Sequence, residues 1–191
     1  MSIEGVFAEH AQVASQAAAE LPRVLQTVAE SMNRCLRAGH KILACGNGGS
    51  AADAQHLVAE LVGRFRDERR ALAAIALTAD TAILTAVGND YGYERVFARQ
   101  VEALARSGDL LFAISTSGSS PNVVAAAQAA RALGCTVVAL TGSGGGRLAQ
   151  HADLLIAAPS QVTARIQEVH SLCIHAVADT LDALLREAAP G

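Results

Sequence analysis

Residues 41–60, KILACGNGGSAADAQHLVAE, constrain the fold more than any other part of this chain. The apolar run Ile42, Leu43, Ala44 and Cys45 has the length and flanks of a buried strand. It breaks into Gly46-Asn47-Gly48-Gly49-Ser50, after which Ala51, Ala54, Leu57, Val58 and Leu61 recur at helical spacing. Strand, glycine loop and helix N-terminus together form an anion cradle. Glycines let the backbone approach closely, first-turn N–H groups lack partners, and the helix dipole favours negative charge. Ser50 is placed as the N-cap or as a hydroxyl donor to a phosphate. His56 and Glu60, four residues apart, share one helix face. Two other readings stay open from these residues alone. Gly46, Gly48 and Ala51 also fit the G-x-G-x-x-A dinucleotide pattern, and a His/Glu pair at this spacing can be merely solvated.

The rest of the chain predicts strand and helix in alternation. Strands are expected at 42–45, 73–77, 110–114, 136–140 and 154–157. Helices are expected at 81–87, 94–104, 121–133 and from 160 or 163 to 186, with a loop at 88–92. Pro121 suits N1, where its missing N–H costs nothing. Such alternation implies a parallel sheet covered on both faces, in a single domain over 1–191. Residues 2–39 are helical in pattern with a break at Leu21-Pro22, and Gly39 is a plausible stop. A doubly wound sheet does not need them. They are either an assembly element against another subunit or a hairpin over their own core.

At 191 residues and a formal net charge of −3, the chain can bury a full core and offers no basic face for nucleic acid. The cluster at 64–70 mixes Arg64, Arg66, Arg69 and Arg70 with Asp67 and Glu68, as a solvated loop does. Cys35, Cys45, Cys135 and Cys173 form no C-x-x-C pair and read as reduced core thiols. Glu4, Glu9 and His10 interrupt any signal-peptide core, and no run reaches membrane-spanning length. A cytoplasmic protein without membrane association is expected.

The third strand runs into Ser115-Thr116-Ser117-Gly118-Ser119-Ser120-Pro121-Asn122, a hydroxyl-rich loop before a helix. In a 2-1-3-4-5 sheet the first and third strands are neighbours, so this loop and the glycine loop would face one crevice at the carboxyl ends of the strands. A nicotinamide fold needs no such loop, so a sugar phosphate is favoured. The last helix carries Gln167, Glu168, His170 and His175 among apolar residues. Joined to His56 and Glu60, these supply enough nitrogen and oxygen ligands for a divalent metal of zinc type.

In order along nearly the whole chain stand C-G-N-G-G-S with D-A-Q-H-x-x-x-E, G-N-D-Y-G-Y, I-S-T-S-G-x-S and R-I-Q-E-x-H-x-x-x-x-H. This series resembles the phosphoheptose isomerases, sugar isomerase (SIS) domain enzymes that convert sedoheptulose 7-phosphate into D-glycero-D-manno-heptose 7-phosphate for lipopolysaccharide. The resemblance implies a flavodoxin-like (SIS) five-stranded parallel sheet, an N-terminal helical oligomerisation segment, a homotetramer with sites at subunit interfaces, and zinc. Carried over by motif, substrate contacts fall on Asn47, Gly48, Gly49, Asn89, Asp90, Ser115, Thr116, Ser117, Ser120 and Gln167, with Ser50 and Glu60 beside them. Metal ligands fall on His56, Glu60, Gln167 and His175. Glu60 is implied as the base and His175 as the acid.

The related DnaA initiator-associating proteins share the glycine loop and the R-I-Q-E-x-H run but act as a tetrameric binding module with a replication-initiator partner. The Ala-rich N-terminal segment and the Ala54-Gln55-His56 order lean toward them. An isomerase needs a carboxylate at 60 and an imidazole at 175, which a scaffold does not, and both are present. Gln167 and His175 lie about 12 Å apart along one helix and are turned by about 80°, whereas metal–ligand bonds span about 2 Å. Either the helix begins after Gln167 or one of the two comes from a neighbouring chain. With the surplus N-terminal helices and the tetramer that the resemblance implies, at least one last-helix ligand is expected from another subunit.

Overall fold

The computed structural model describes residues 2–187. Helix α1 (Ile3–Glu20) starts where the Ser2 hydroxyl accepts from the Gly5 N–H at 3.1 Å, the usual work of an N-cap serine. Leu21 separates it from α2 (Pro22–Arg37), which opens on a proline at N1. There follow β1 (Ile42–Gly46), α3 (Gly49–Val62), β2 (Ala74–Ala76), α4 (Thr81–Tyr91), α5 (Ala98–Leu104) and β3 (Leu110–Ser115). The chain continues through α6 (Pro121–Ala132), β4 (Thr136–Thr141), β5 (Leu154–Ala157) and α7 (Thr163–Glu187).

All strand pairs are parallel, in the order β2-β1-β3-β4-β5. This is the parallel sheet covered on both faces that the alternation predicts, in the flavodoxin-like order that the resemblance implies. Period-two geometry divides each strand between two cores. Ile42, Ala44, Leu110, Phe112, Ile114, Val138 and Leu140 face one way, toward α2, α3 and α7. Leu43, Cys45, Leu111, Ala113, Val137 and Ala139 face the other, toward α5 and α6. Each large side chain fully buried here, such as Phe112, contributes about 1.5–3 kcal/mol.

The N-terminal helices differ in how far they cover the chain's own core. Helix α2 buries Val28, Ala29, Met32, Cys35 and Leu36 in its own core. Helix α1 buries only Ala17 and leaves Ile3 and Phe7 more than 70% exposed. It is tied to α7 by polar contacts: Arg165 donates to the Val6 carbonyl and Glu9, and His10 pairs with Glu168 at 2.7 Å.

Two local expectations are corrected. Residues 88–91 are not a loop but the end of α4. The Asp80 carboxylate caps that helix by accepting from Ile83 N–H at 2.9 Å, and the stop falls at Gly92, whose φ is 83°. Gly88 is an interior glycine, a cost of about 1 kcal/mol that the helix absorbs. The helix expected over 94–104 is split into a 3-10 turn (Tyr93–Arg95) and the short α5. All four cysteines are free and buried; burial pushes the Cys45 and Cys173 thiols up to about 12. Among the described residues no helix is long and apolar enough to cross a membrane.

Candidate active site

Strands β1 and β3 pair from Ile42 opposite Leu110 to Gly46 opposite Ile114, so they end side by side. Sequential strands depart in opposite directions from this point, where open α/β sheets bind ligands. Gly48 holds the cap position of α3 at φ 55°, a conformation that favours glycine. Because the helix starts here, Ser50 lies inside the first turn and is buried, which corrects its expected N-cap role. Gly49 answers a different need. A Cβ there would collide with the side-chain amide of Gln167, which packs directly over the loop.

Across the crevice, Ser115 is buried and its Oγ lies 3.0 Å from Ser120 Oγ and 3.3 Å from Ser117 Oγ. The Ser119 N–H donates to Ser117 Oγ. Ser120 occupies the N-cap position of α6 and accepts helix N–H groups only through its carbonyl, which leaves its hydroxyl to the serine cluster. On one side of this loop a cavity of about 200 Å³ is lined by Thr116, Ser117, Ser143, Ser160 and Gln161. On the other, a cavity of about 320 Å³ is lined by Asn47, Tyr93, Glu94, Ser120 and Asn122. A larger one, about 360 Å³, opens beside Arg69, Arg70 and Asp182 and has no hydroxyl cradle, so size alone does not mark the site.

Helices α3 and α7 lie side by side, and their contacts advance in step. Gly49 meets Gln167, Asp53 accepts from Ser171 Oγ at 3.3 Å, and His56 meets His175. Burial pushes the Asp53 carboxyl up, against the Ser171 bond and the nearby His56, which pull it down. The two helices thus run in the same direction. At the third contact the Nε2 atoms of His56 and His175 stand 3.0 Å apart, with Glu60 Oε1 3.2 Å from His56 Nε2. Ligand atoms of His56, Glu60 and His175 all lie within 4.8 Å of one another. Phe65 covers the His175 ring, with centroids 5.4 Å apart.

His56, Glu60 and His175 therefore meet within one chain. His175 needs no neighbouring chain to meet His56 and Glu60, which narrows the expected last-helix ligand from a neighbour to Gln167. Parallel helices bring His175 to His56 directly, without stretching one helix over eight residues. Gln167, two turns earlier, lies over the glycine loop. The other polar groups of α7 face elsewhere. His170 is fully buried and hydrogen-bonds the Thr141 carbonyl at 3.0 Å; burial lowers its pKa against that bond. Glu168 is held by Arg165 and His10.

Asn89 and Asp90 are exposed on α4 and hydrogen-bond to each other. The residues of that region that reach the crevice are Tyr93, whose hydroxyl donates to Asn47 Oδ1 at 3.2 Å, and Glu94. Tyr93 closes the G-N-D-Y-G-Y motif, so its signal was present beside the two residues that drew attention. Asn122, Ser143 and Ser160 are further site residues that the motif reading did not assign.

Two facing imidazole nitrogens beside a carboxylate present three donor atoms to one point. Either one ring carries its proton at Nε2, or both lone pairs face a cation. This set suits a divalent ion of zinc type with an open coordination position.

A doubly wound sheet with a hydroxyl cradle at its switch point defines a class of phosphosugar-binding SIS proteins. The SIS domain model matches residues 7–142. A phosphoheptose isomerase from a Roseiflexus species is 57% identical over 164 residues, covering 86% of this chain and 83% of its own. One from Methylibium petroleiphilum is 51% identical over 96% of this chain and 93% of its own. The solved phosphoheptose isomerase of Neisseria gonorrhoeae superimposes with a TM-score of 0.90 at 49% identity, covering 95% of this chain and 97% of that one. That of Francisella tularensis gives 0.92 at 42%, covering 95% and 96%. The chain belongs to the SIS-domain proteins and, within them, to the phosphoheptose isomerase family.

Proposed function

We propose that the chain interconverts sedoheptulose 7-phosphate and D-glycero-D-manno-heptose 7-phosphate, an aldose–ketose isomerisation that supplies heptose for lipopolysaccharide. The observation that carries this reading is the convergence of Glu60 with His56 and His175 on α3 and α7, the two helices that meet at the glycine loop through Gly49 and Gln167.

The reaction moves one proton between adjacent carbons and one between their oxygens, through an enediol. Glu60 takes the proton from C1 of the ketose and returns it at C2. His175 gives a proton to O2 and recovers one from O1 at the same nitrogen, so the imidazole ends as it began. No net proton is gained or lost. Ser115, Thr116, Ser117 and Ser120 hold the phosphate by hydroxyls and backbone dipoles in place of a lysine. Asn47 and the Gly48-Gly49 backbone grip the sugar, with the Gln167 amide above them.

His56, Glu60 and His175, with Gln167 as a fourth candidate, would hold a divalent ion such as zinc. When bound, it would supply Lewis-acid stabilisation of the enediolate charge. Assembly as a homotetramer is supported by the exposed apolar side chains of α1, Ile3 and Phe7. The test is to supply sedoheptulose 7-phosphate and follow the aldose by NMR with and without chelator. Turnover is expected. Its absence with metal supplied would overturn the reading.

A further inference from the structure

The loop after α3 returns a single guanidinium to the end of that helix. Arg69 Nη2 donates to the Glu60 carbonyl at 2.6 Å, and Nη1 donates to the Leu61 carbonyl at 2.9 Å. Nη1 also reaches the Arg70 carbonyl at 3.2 Å. These Glu60 and Leu61 carbonyls belong to the last turn of α3, where no helical N–H is available to them. The helix dipole places its negative end there, so a cation is doubly suited. The remaining donor, Nε, reaches Asp182 Oδ1 on α7 at 2.7 Å. Both side chains are withdrawn from solvent, with 11% of Arg69 and 3% of Asp182 exposed.

The position of this clamp is informative. Asp182 follows His175 by seven residues, two turns along the same face of α7. On α3 the clamp grips the carbonyl of Glu60 itself. It therefore joins the two helices that carry the site, one step beyond the point where His56 meets His175. Neighbouring pairs do not duplicate it: Arg66–Asp179 and Arg186–Asp67 are exposed, and exposed pairs contribute little. A lysine could keep the charge opposite Asp182. It could not fork to two carbonyls and a carboxylate together.

We infer that Arg69, braced by Asp182, is a positioning residue for the active site, fixing Glu60 opposite His56 and His175 by locking the end of α3 to α7. The inference rests on reading that triad as the catalytic and metal-holding centre.

The test compares the full-length parent with Arg69→Lys, Asp182→Asn and, as a structural control, Asp109→Asn at the amino ends of the strands. Zinc affinity of the metal-free proteins is measured by competition with a chromophoric chelator, beside Tm, kcat and KM. Arg69→Lys is expected to weaken zinc binding by roughly 10–100-fold and to lower kcat with KM held within about twofold. Asp109→Asn should lower Tm while leaving zinc affinity and kcat alone. Unchanged zinc affinity and kcat in Arg69→Lys, whatever its Tm, would overturn the inference. If Arg69→Lys does not fold, Asp182→Asn decides by the same measurements. If the parent itself binds no zinc, the metal reading falls and kcat alone decides: a loss at constant KM sustains the clamp's role, and no loss refutes it.

Discussion

Asn47 and Asn122 exchange two amide hydrogen bonds of 2.8 Å across the crevice between β1 and β3. The orientation of the pair is set from outside: Val123 N–H donates to Asn122 Oδ1 and the Tyr93 hydroxyl to Asn47 Oδ1. Asn122 is buried in the first turn of α6, so it joins the glycine loop to the serine loop. The two halves of the ligand site are held in one register by this ring of bonds.

Asn122→Ala removes both bonds and leaves the Asn47 NH2 group without its partner, while Oδ1 keeps the Tyr93 hydroxyl. Stability should fall by about 1–3 kcal/mol. KM for the heptose phosphate should rise by roughly tenfold, with a smaller change in kcat because Glu60 and His175 stand on other helices. Thermal denaturation and steady-state kinetics read both. An unchanged KM would mean that the pair serves folding alone.

The meeting of His56, Glu60 and His175 in one chain gives an opposite expectation to a site divided between subunits at these residues. Glu60→Gln and His175→Ala variants, unfolded and refolded together, should stay inactive, because every triad in the mixture carries one lesion. Restored activity would show that Glu60 and His175 of different chains complete each other.

How much of this was legible in the sequence depended on the range of the interaction. The strands and their alternation with helices follow from apolar runs, glycine breaks and helical spacing, all local signals. The order of the strands across the sheet, by contrast, is carried only by the family resemblance. His56 and Glu60 were legible as a pair because four residues make one helical turn. The meeting of His175 with His56 was not, since it depends on two distant helices packing in the same direction. Helical spacing alone made Gln167 and His175 look incompatible within a chain; in the fold each faces a different part of α3. Asn122 looks like an ordinary polar residue after a proline until β1 and β3 are paired. Ser50 looked like a cap because serine suits caps, but Gly48 begins the helix two residues earlier.

Thr116 separates phosphate binding from fold. Its carbonyl accepts from Gly142 N–H at 2.9 Å, so the loop is anchored through its backbone. Its side chain borders the cavity shared with Ser143 and Ser160. Thr116→Val keeps shape and backbone bond while removing a hydroxyl. A hydrogen bond to a charged group is worth about 1.5–3 kcal/mol, so KM should rise roughly tenfold or more with Tm unchanged. Equal KM values would reduce this loop to a turn.

Asp109 anchors the opposite, amino end of the sheet and gives a pH-dependent prediction. Its Oδ1 accepts from the Lys41 N–H at 3.0 Å, and its Oδ2 accepts from the Arg106 N–H at 2.7 Å and from Lys41 Nζ at 2.5 Å. Burial pushes the carboxyl up, but the Lys41 side chain, the two backbone N–H groups and the Lys41 charge outweigh it, holding the pKa below its ordinary 3.8. Between the lowered folded value and the unfolded one, the unfolded chain binds more protons, so stability rises with pH. The contribution is complete above the unfolded carboxylate pKa of about 3.9 and is lost as pH falls through the folded value. Asp109→Asn should therefore cost about 2–3 kcal/mol at pH 7, as loss of charged hydrogen bonds does. The gap to the parent should narrow only below about pH 4, where the parent loses the same charge. Denaturant unfolding at pH 7, 5 and 3 measures it. A gap that stays constant across that range would mean that shape, not ionisation, is what Asp109 contributes.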